Sequence, residues 1–164
     1  MISPAPAEAV TALYQAHALG LIRLAVVILG DRPAAEDAVQ EAFCGLYRRW
    51  HHLSDPGKAL SYVRSSVINS CRTVLRRRRR QTGLAGGPPG ESAEAVALVG
   101  EEHRQVLSAI RRLPARQREV LVLRFYLDLD EAEIAASMRI SRGTVKSTTS
   151  RALAALGRLL GEQP

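Results

Sequence analysis

Aromatic side chains are scarce in this chain, 4% of 164 residues, although 46% of the residues are apolar. Cores with so few rings must be packed with Ala, Leu and Val, a mixture that suits helices. Cysteine is nearly absent. Cys44 and Cys71 are too few for a disulfide framework and fit no metal spacing, which agrees with a reducing cytosol. Both are expected to be small buried hydrophobes. The adjacent His51 and His52 make no zinc spacing and are read as part of a solvated loop. No metal or other cofactor is expected.

Long hydrophobic runs are missing too. Residues 19–29 are apolar, but Gly20 and Arg23 interrupt them and they are too few to span a bilayer. Residues 1–9 lack the basic start and apolar core of a secretory signal. The expectation is a soluble cytoplasmic protein with no membrane insertion. Also lacking is a Ser or Tyr nucleophile beside a plausible base or metal cluster, which argues against an enzyme, a small recombinase included.

Charge of one sign is plentiful. The formal net charge is +7 and the isoelectric point about 10.2, a balance that favours a polyanionic partner. Its distribution is uneven: residues 1–82 carry +6, residues 83–102 carry −4 and residues 103–164 carry +5. Two basic blocks flank an acidic connector.

The most informative stretch is residues 127–160, LDLDEAEIAASMRISRGTVKSTTSRALAALGRLL. Asp130 followed three residues on by Glu133 is a capping-box variant, so a helix should start there, with Ile134, Ala135 and Met138 inward. Ser141 is an N-cap for a second helix after a short turn at Arg139 and Ile140. In that helix Val145, Thr149, Ala152 and Leu156 fall on one buried stripe. Two short helices in this order predict a helix-turn-helix with the second helix in a major groove. Thr144, Lys146, Ser147 and Thr148 are the expected base-edge readers, and Arg142, Ser150 and Arg151 the expected phosphate contacts.

Upstream of it, residues 7–29 read as a helix ended by Gly30. Asp31 then caps a helix whose Ala35, Ala38, Val39, Ala42, Phe43, Leu46, Tyr47 and Trp50 recur at three-and-four spacing. Its outward face opens with Glu36, Asp37, Gln40 and Glu41, an acidic patch inside a basic block, which suits a basic protein partner. After a turn cluster at residues 51–57, residues 59–80 form a long helix with seven cations and no acid. Leu60, Val63, Val67, Cys71 and Val74 point inward; Ser65, Asn69, Arg72 and Arg76 line another face. The five arginines at 76–80 repel one another within a helix and are read as phosphate contacts. Residues 81–91, rich in Gly and Pro, are a flexible tether and the domain boundary. Helices resume near Ser92: Val106, Leu107, Ile110 and Leu113 make one stripe, and Val120, Leu121, Leu123 and Phe125 another. The fold class is all-α, with small helical domains at 1–80 and 92–164.

The strings GDRPAAEDAVQEAF (residues 30–43), ALSYVRSSVINSCRTVLRRRRR (residues 59–80) and LPARQREVLVLRFYLDLDEAEIAASMRISRGTVKSTTSRAL (residues 113–153), in this order and spacing, resemble the extracytoplasmic-function (ECF) sigma factors of bacterial RNA polymerase, most closely the small SigE-type branch. The resemblance covers nearly the whole chain. It implies that the first domain is sigma region 2, docking on the β′ clamp helices of core polymerase through Glu36, Asp37, Gln40, Glu41 and Phe43. It implies that the following loop and basic helix capture an unstacked base of the minus-ten element and hold the separated strand. Those contacts would fall on Trp50, His51, His52, Ser54, Lys58, Ser65, Asn69, Arg72, Arg76, Arg77 and Arg80, with Trp50 either a stacking platform or core. The second domain would be region 4, reading the minus-thirty-five element and meeting the β flap. Many family members have Arg where this chain has Thr148, and a threonine reaches less far.

The function expected is promoter-specific transcription initiation by a subunit with no catalysis of its own, with core polymerase, promoter DNA and an anti-sigma factor as partners. Its place would be the cytoplasm, at the nucleoid when bound to polymerase. The rival reading is a dimeric helix-turn-helix repressor or activator that does not dock on polymerase and binds a palindromic site.

Overall fold

The computed structural model of the protein describes residues 5–82 and 104–161, and among these every regular element is helical. The tether expected at 81–91 falls almost wholly outside the described residues, as does the resumption of helices near Ser92. Helix α1 spans Pro6–Leu29, with proline in its first turn, where a missing N–H costs nothing. Gly30 ends it in the left-handed conformation (φ 70°), its N–H donating to the Val26 carbonyl at 2.7 Å. Helix α2 runs Arg32–Arg49 and helix α3 runs Ala59–Thr82, joined by short 3-10 turns at Trp50–His52 and Pro56–Lys58. Asp55 fixes the second turn by accepting from the Gly57 N–H at 2.8 Å.

These three helices pack on one another. Their shared core holds Leu21, Leu24, Ile28, Ala35, Val39, Leu46, Val63, Val67 and Ile68. Each fully buried Leu or Ile contributes about 1.5–3 kcal/mol through removal of apolar area from water. Helix α1 is long and apolar enough to cross a membrane by length and composition. Residues 24–29 are nevertheless buried all round, which is the environment of a core helix.

In the second unit α4 spans Arg104–Arg112, α5 spans Ala115–Leu121 and α6 spans Glu131–Met138, while α7 runs Arg142–Gly161. Helix α5 continues into a widened π-type turn, Val122–Tyr126, closed by the Leu127 N–H reaching back five residues to the Val122 carbonyl at 3.2 Å. That extra residue per turn shifts the phase of the stripe. Val120, Leu121 and Leu123 are buried as expected, but Phe125 is turned out and 64% exposed, against the expectation that it joins the core.

Two further expectations are corrected. Cys71 is buried but Cys44 is exposed, because it follows the inward pair Ala42 and Phe43 on α2 and lies beyond the edge of that stripe. Tyr47, placed on the same stripe, is also largely exposed. The two helical units also meet: α3 packs against α6, and α1 against α4 and α5. Buried apolar residues of both units, Ala109 apart, form one continuous cluster.

Candidate functional site

Three surfaces carry the residues singled out by the sequence. The first is the outer face of α2, where Glu36, Asp37, Gln40 and Glu41 are all exposed. Glu36 is engaged by Arg32 one turn earlier at 2.8 Å, a surface pair of small energetic weight. Glu41 lines a shallow groove between α2 and α3 with Arg48, Arg49, Tyr62, Ser66 and Asn69, so the acidic patch adjoins the polar face of α3. Phe43 does not belong to this surface. It is buried, with the Tyr14 ring edge-on to it at 5.1 Å between centroids, and its role is core packing.

The second surface is the turn after α2 together with α3. His51, His52, Ser54 and Lys58 are exposed in the two short turns, and Trp50 is half-buried against the core. Ser65 and Asn69 are half-exposed on α3, while Arg76, Arg77 and Arg80 project into solvent. Arg72 departs from the expectation that it faces a nucleic acid. Its side chain is 25% exposed and its guanidinium lies against Glu119 of α5, donating from Nε at 3.1 Å to each carboxylate oxygen and from Nη2 at 2.9 Å to one of them. Arg78 is also drawn inward. It donates to the Leu29 carbonyl at 2.8 Å and to Asp31 at 2.9 Å, so the arginine run is not a uniform phosphate-facing strip.

The third surface is the pair α6 and α7. Asp130 accepts from the Glu133 N–H at 2.8 Å and Glu133 accepts from the Asp130 N–H at 2.9 Å, completing the expected capping box. Arg139 takes the left-handed conformation at the end of α6 (φ 55°) and turns the chain toward α7. Ser141 accepts from the Thr144 N–H at 3.1 Å, as an N-cap should. Its hydroxyl also shares a hydrogen bond with that of Thr144 at 2.9 Å, which ties down one expected base reader.

Lys146 is 70% exposed, with only a long 3.9 Å approach to Glu131. Arg142, Ser147, Ser150 and Arg151 are exposed, Arg151 resting on the Ser147 carbonyl at 3.2 Å. Thr148 is buried and is removed from the expected base readers. The inward stripe runs Val145, Thr148, Ala152, a spacing of three where four was expected. Thr149 instead is half-buried and returns its hydroxyl to the Val145 carbonyl at 2.7 Å.

The sequence reading missed Arg118 and Glu119, both buried within α5. Arg118 donates to the carbonyls of Ile28 at 2.6 Å, Arg111 at 2.9 Å and Leu113 at 3.1 Å. It thus bridges the C-terminal end of α1 to that of α4, where helix carbonyls lack partners. Burial holds its guanidinium below its ordinary value, with Arg111 acting the same way and Glu119 opposing. An Arg-Glu pair directly before the apolar run VLVL was the available signal, although sequence alone gives no partner across so long a separation.

Known proteins place these surfaces in one family. The family model for sigma-70 region 2 matches residues 13–81, and that for sigma-70 region 4 matches residues 103–156. The RNA polymerase sigma-E factor of Streptomyces antibioticus is 32% identical over 136 residues, covering 83% of this chain and 76% of that protein. The ECF RNA polymerase sigma factor SigL of Mycobacterium tuberculosis is 31% identical over 166 residues, covering 96% and 92%. This chain belongs to the ECF sigma factors of the sigma-70 family.

Sigma factors direct RNA polymerase to promoters for transcription initiation and are not enzymes, so the family does not favour the repressor reading. Two solved structures share the fold of this sigma factor. The sigma factor RpoE in complex with the anti-sigma factor NepR from Bartonella quintana has a TM-score of 0.70 at 21% identity, covering 93% of this chain and 99% of that one. CnrH in complex with the cytosolic domain of CnrY has a TM-score of 0.73 at 22% identity, covering 97% and 96%.

Proposed function

We propose that the three surfaces divide the work of initiation. The exposed carboxylates Asp37 and Glu41, with Glu36 and Gln40 beside them, dock on the β′ clamp helices of core polymerase. The turns at Trp50–His52 and Pro56–Lys58 capture an unstacked base of the minus-ten element, with His51, His52, Ser54 and Lys58 at hand. Extruding a base costs a few kcal/mol of stacking, and Ser65, Asn69, Arg76, Arg77 and Arg80 offset it by holding the separated strand through its backbone. Helix α7 presents Lys146 and Ser147 to the minus-thirty-five element, with Arg142, Ser150 and Arg151 on phosphates. Region 2 is assigned to residues 1–80 and region 4, which meets the β flap, to residues 92–164, with residues 81–91 as the linker between them.

The observation that carries this reading is the coexistence on one chain of an exposed acidic face, an acid-free helix ending in arginines and a doubly capped helix-turn-helix. Relatives of the same fold are held by anti-sigma factors, and an inhibitory protein partner is assigned to this sigma factor too. It acts in the cytoplasm, at the nucleoid when polymerase-bound. Purified protein added to core polymerase should yield run-off transcript from cognate promoters of its own genome. Failure on every genomic promoter, with the core active under another sigma factor, removes the assignment.

A further inference from the structure

Two residues other than glycine take a positive φ among the described residues, Asp128 (54°) and Arg139 (55°). Aspartate tolerates the left-handed region through its short polar side chain, whereas arginine gains no such relief. Arg139 ends α6, its own N–H donating to the Ala135 carbonyl, and the Ile140 N–H reaches the same carbonyl at 3.1 Å. This is the left-handed helix stop at which glycine is preferred. Gly30 fills the equivalent place at the end of α1, with φ 70°. An arginine at 139 therefore strains the fold where a glycine would not.

The fold receives little in return. Arg139 is exposed, and its side chain makes no hydrogen bond or ion pair among the described residues. The macrodipole of α6 favours a cation near its C-terminal end, but a basic residue in the last turn, where α6 has none, would supply that without a left-handed backbone. The neighbours of Arg139 indicate where its charge is directed. It stands two residues before Ser141, the cap of α7, and three before the exposed Arg142. Three residues of chain span at most about 10 Å, less than the roughly 12 Å width of a major groove. With the N-terminal end of α7 in that groove, the turn carrying Arg139 lies at its lip, where the backbone phosphates run.

We propose that Arg139 is a phosphate anchor of region 4: its guanidinium grips the DNA backbone beside the upstream element, and the left-handed turn is kept against folding stability because it sets that cation at the groove lip. A planar guanidinium pairs with two phosphate oxygens at once. Such a contact carries no sequence information; it fixes the register of α7, so that Lys146 and Ser147 meet the bases. Being ionic, it releases a counterion and shows in the salt dependence of binding. The proposal rests on the reading of α7 as the groove reader and adds to it a residue outside the recognition helix.

The test compares the full chain as wild type, Arg139→Gly and Arg139→Lys, with Lys146→Ala as the reference. Fluorescence anisotropy across a salt series uses two labelled duplexes of equal length, one carrying the upstream element of a promoter this sigma factor transcribes, the other of mixed sequence. Arg139→Gly should bind both duplexes about fivefold more weakly at roughly 0.15 M salt and flatten the salt dependence by roughly 0.9 in slope, the effect of one lost phosphate contact. Its urea midpoint should rise, because glycine takes φ 55° without strain. Arg139→Lys keeps the charge and should keep the wild-type slope. Wild-type binding by Arg139→Gly, with Lys146→Ala weakened, overturns the anchor and leaves the helix-turn-helix reading standing. If neither variant binds more weakly, that reading falls as well. A loss by Arg139→Gly on the upstream-element duplex alone makes Arg139 a base reader, and a lower urea midpoint makes it a residue held for the fold; either result overturns the proposal.

Discussion

Asp31 sits at the N-cap position of α2, yet its carboxylate is given to Arg78 at 2.9 Å, not to the helix it precedes. The same arginine donates to the Leu29 carbonyl at 2.8 Å, near the end of α1. One guanidinium thus ties the α1–α2 corner to the far end of α3. Both side chains keep contact with water, so the ion pair is discounted for screening. Arg78→Ala should lower the stability of the fold by about 1 kcal/mol through the charge-assisted hydrogen bonds, while Arg77→Ala, exposed on the same run, should leave it unchanged. Urea denaturation compares the two. Affinity for a single-stranded oligonucleotide should show the opposite order, falling for Arg77→Ala and little changed for Arg78→Ala.

Glu41 is exposed and carries no ion pair among the described residues. Reversing its charge should leave helix content and melting temperature as they are, while core polymerase binds Glu41→Arg about tenfold more weakly, a loss of about 1.4 kcal/mol. Fluorescence anisotropy of the labelled sigma factor titrated with core enzyme measures this. An unchanged dissociation constant removes Glu41 from the docking face.

How much of this was legible in the sequence depended on how local the cause was. The capping box at Asp130 and Glu133, the Ser141 cap and the Gly30 stop are each decided by neighbours within a few residues, and each stands as expected. The stripe of α7 was misread by one position because Thr148 and Thr149 are chemically equivalent, and only packing decides which turns inward. Phe125 was misassigned because a π turn breaks the 3.6-residue phase that the periodicity assumes. Arg72, Arg78, Arg118 and Glu119 were beyond reach for another reason. Their partners lie 47, 47, 90 and 47 residues away, so a basic helix on paper could not be divided into arginines that bind protein and arginines left for DNA.

Two neighbours on α7 separate reading from packing. Lys146 is exposed and Thr148 is buried. Lys146→Ala should weaken binding to a duplex carrying the upstream element several-fold and, if it meets a phosphate, flatten the salt dependence by roughly 0.9 in slope. Thr148→Val, which nearly preserves volume, should change affinity less than twofold. Filter binding across a salt series measures both. A loss for Thr148→Val equal to that for Lys146→Ala would put the threonine back among the base readers.

The two cysteines should differ sharply in reactivity. Cys71 is buried in α3, and burial pushes its thiol from 9.0 up to about 12, with Glu119 adding to the shift and Arg78 opposing it. At pH 8 only about one in ten thousand Cys71 side chains is thiolate in the folded protein, whereas Cys44 is exposed. DTNB should therefore titrate one thiol quickly at pH 8 and the second only on unfolding; Cys44→Ser should abolish the fast phase. The same shift sets a stability window. Because the thiol is harder to ionise folded than unfolded, its contribution is intact below pH 9.0, and stability falls as pH rises from there toward about 12. The slope approaches about 1.4 kcal/mol per pH unit, since the unfolded chain then binds one proton fewer than the folded one. Urea midpoints of wild type and Cys71→Ala, compared between pH 8 and pH 10, isolate this term. The wild type should lose more stability than the variant over that interval, and parallel losses would mean that Cys71 ionises as freely in the folded protein as in the unfolded chain.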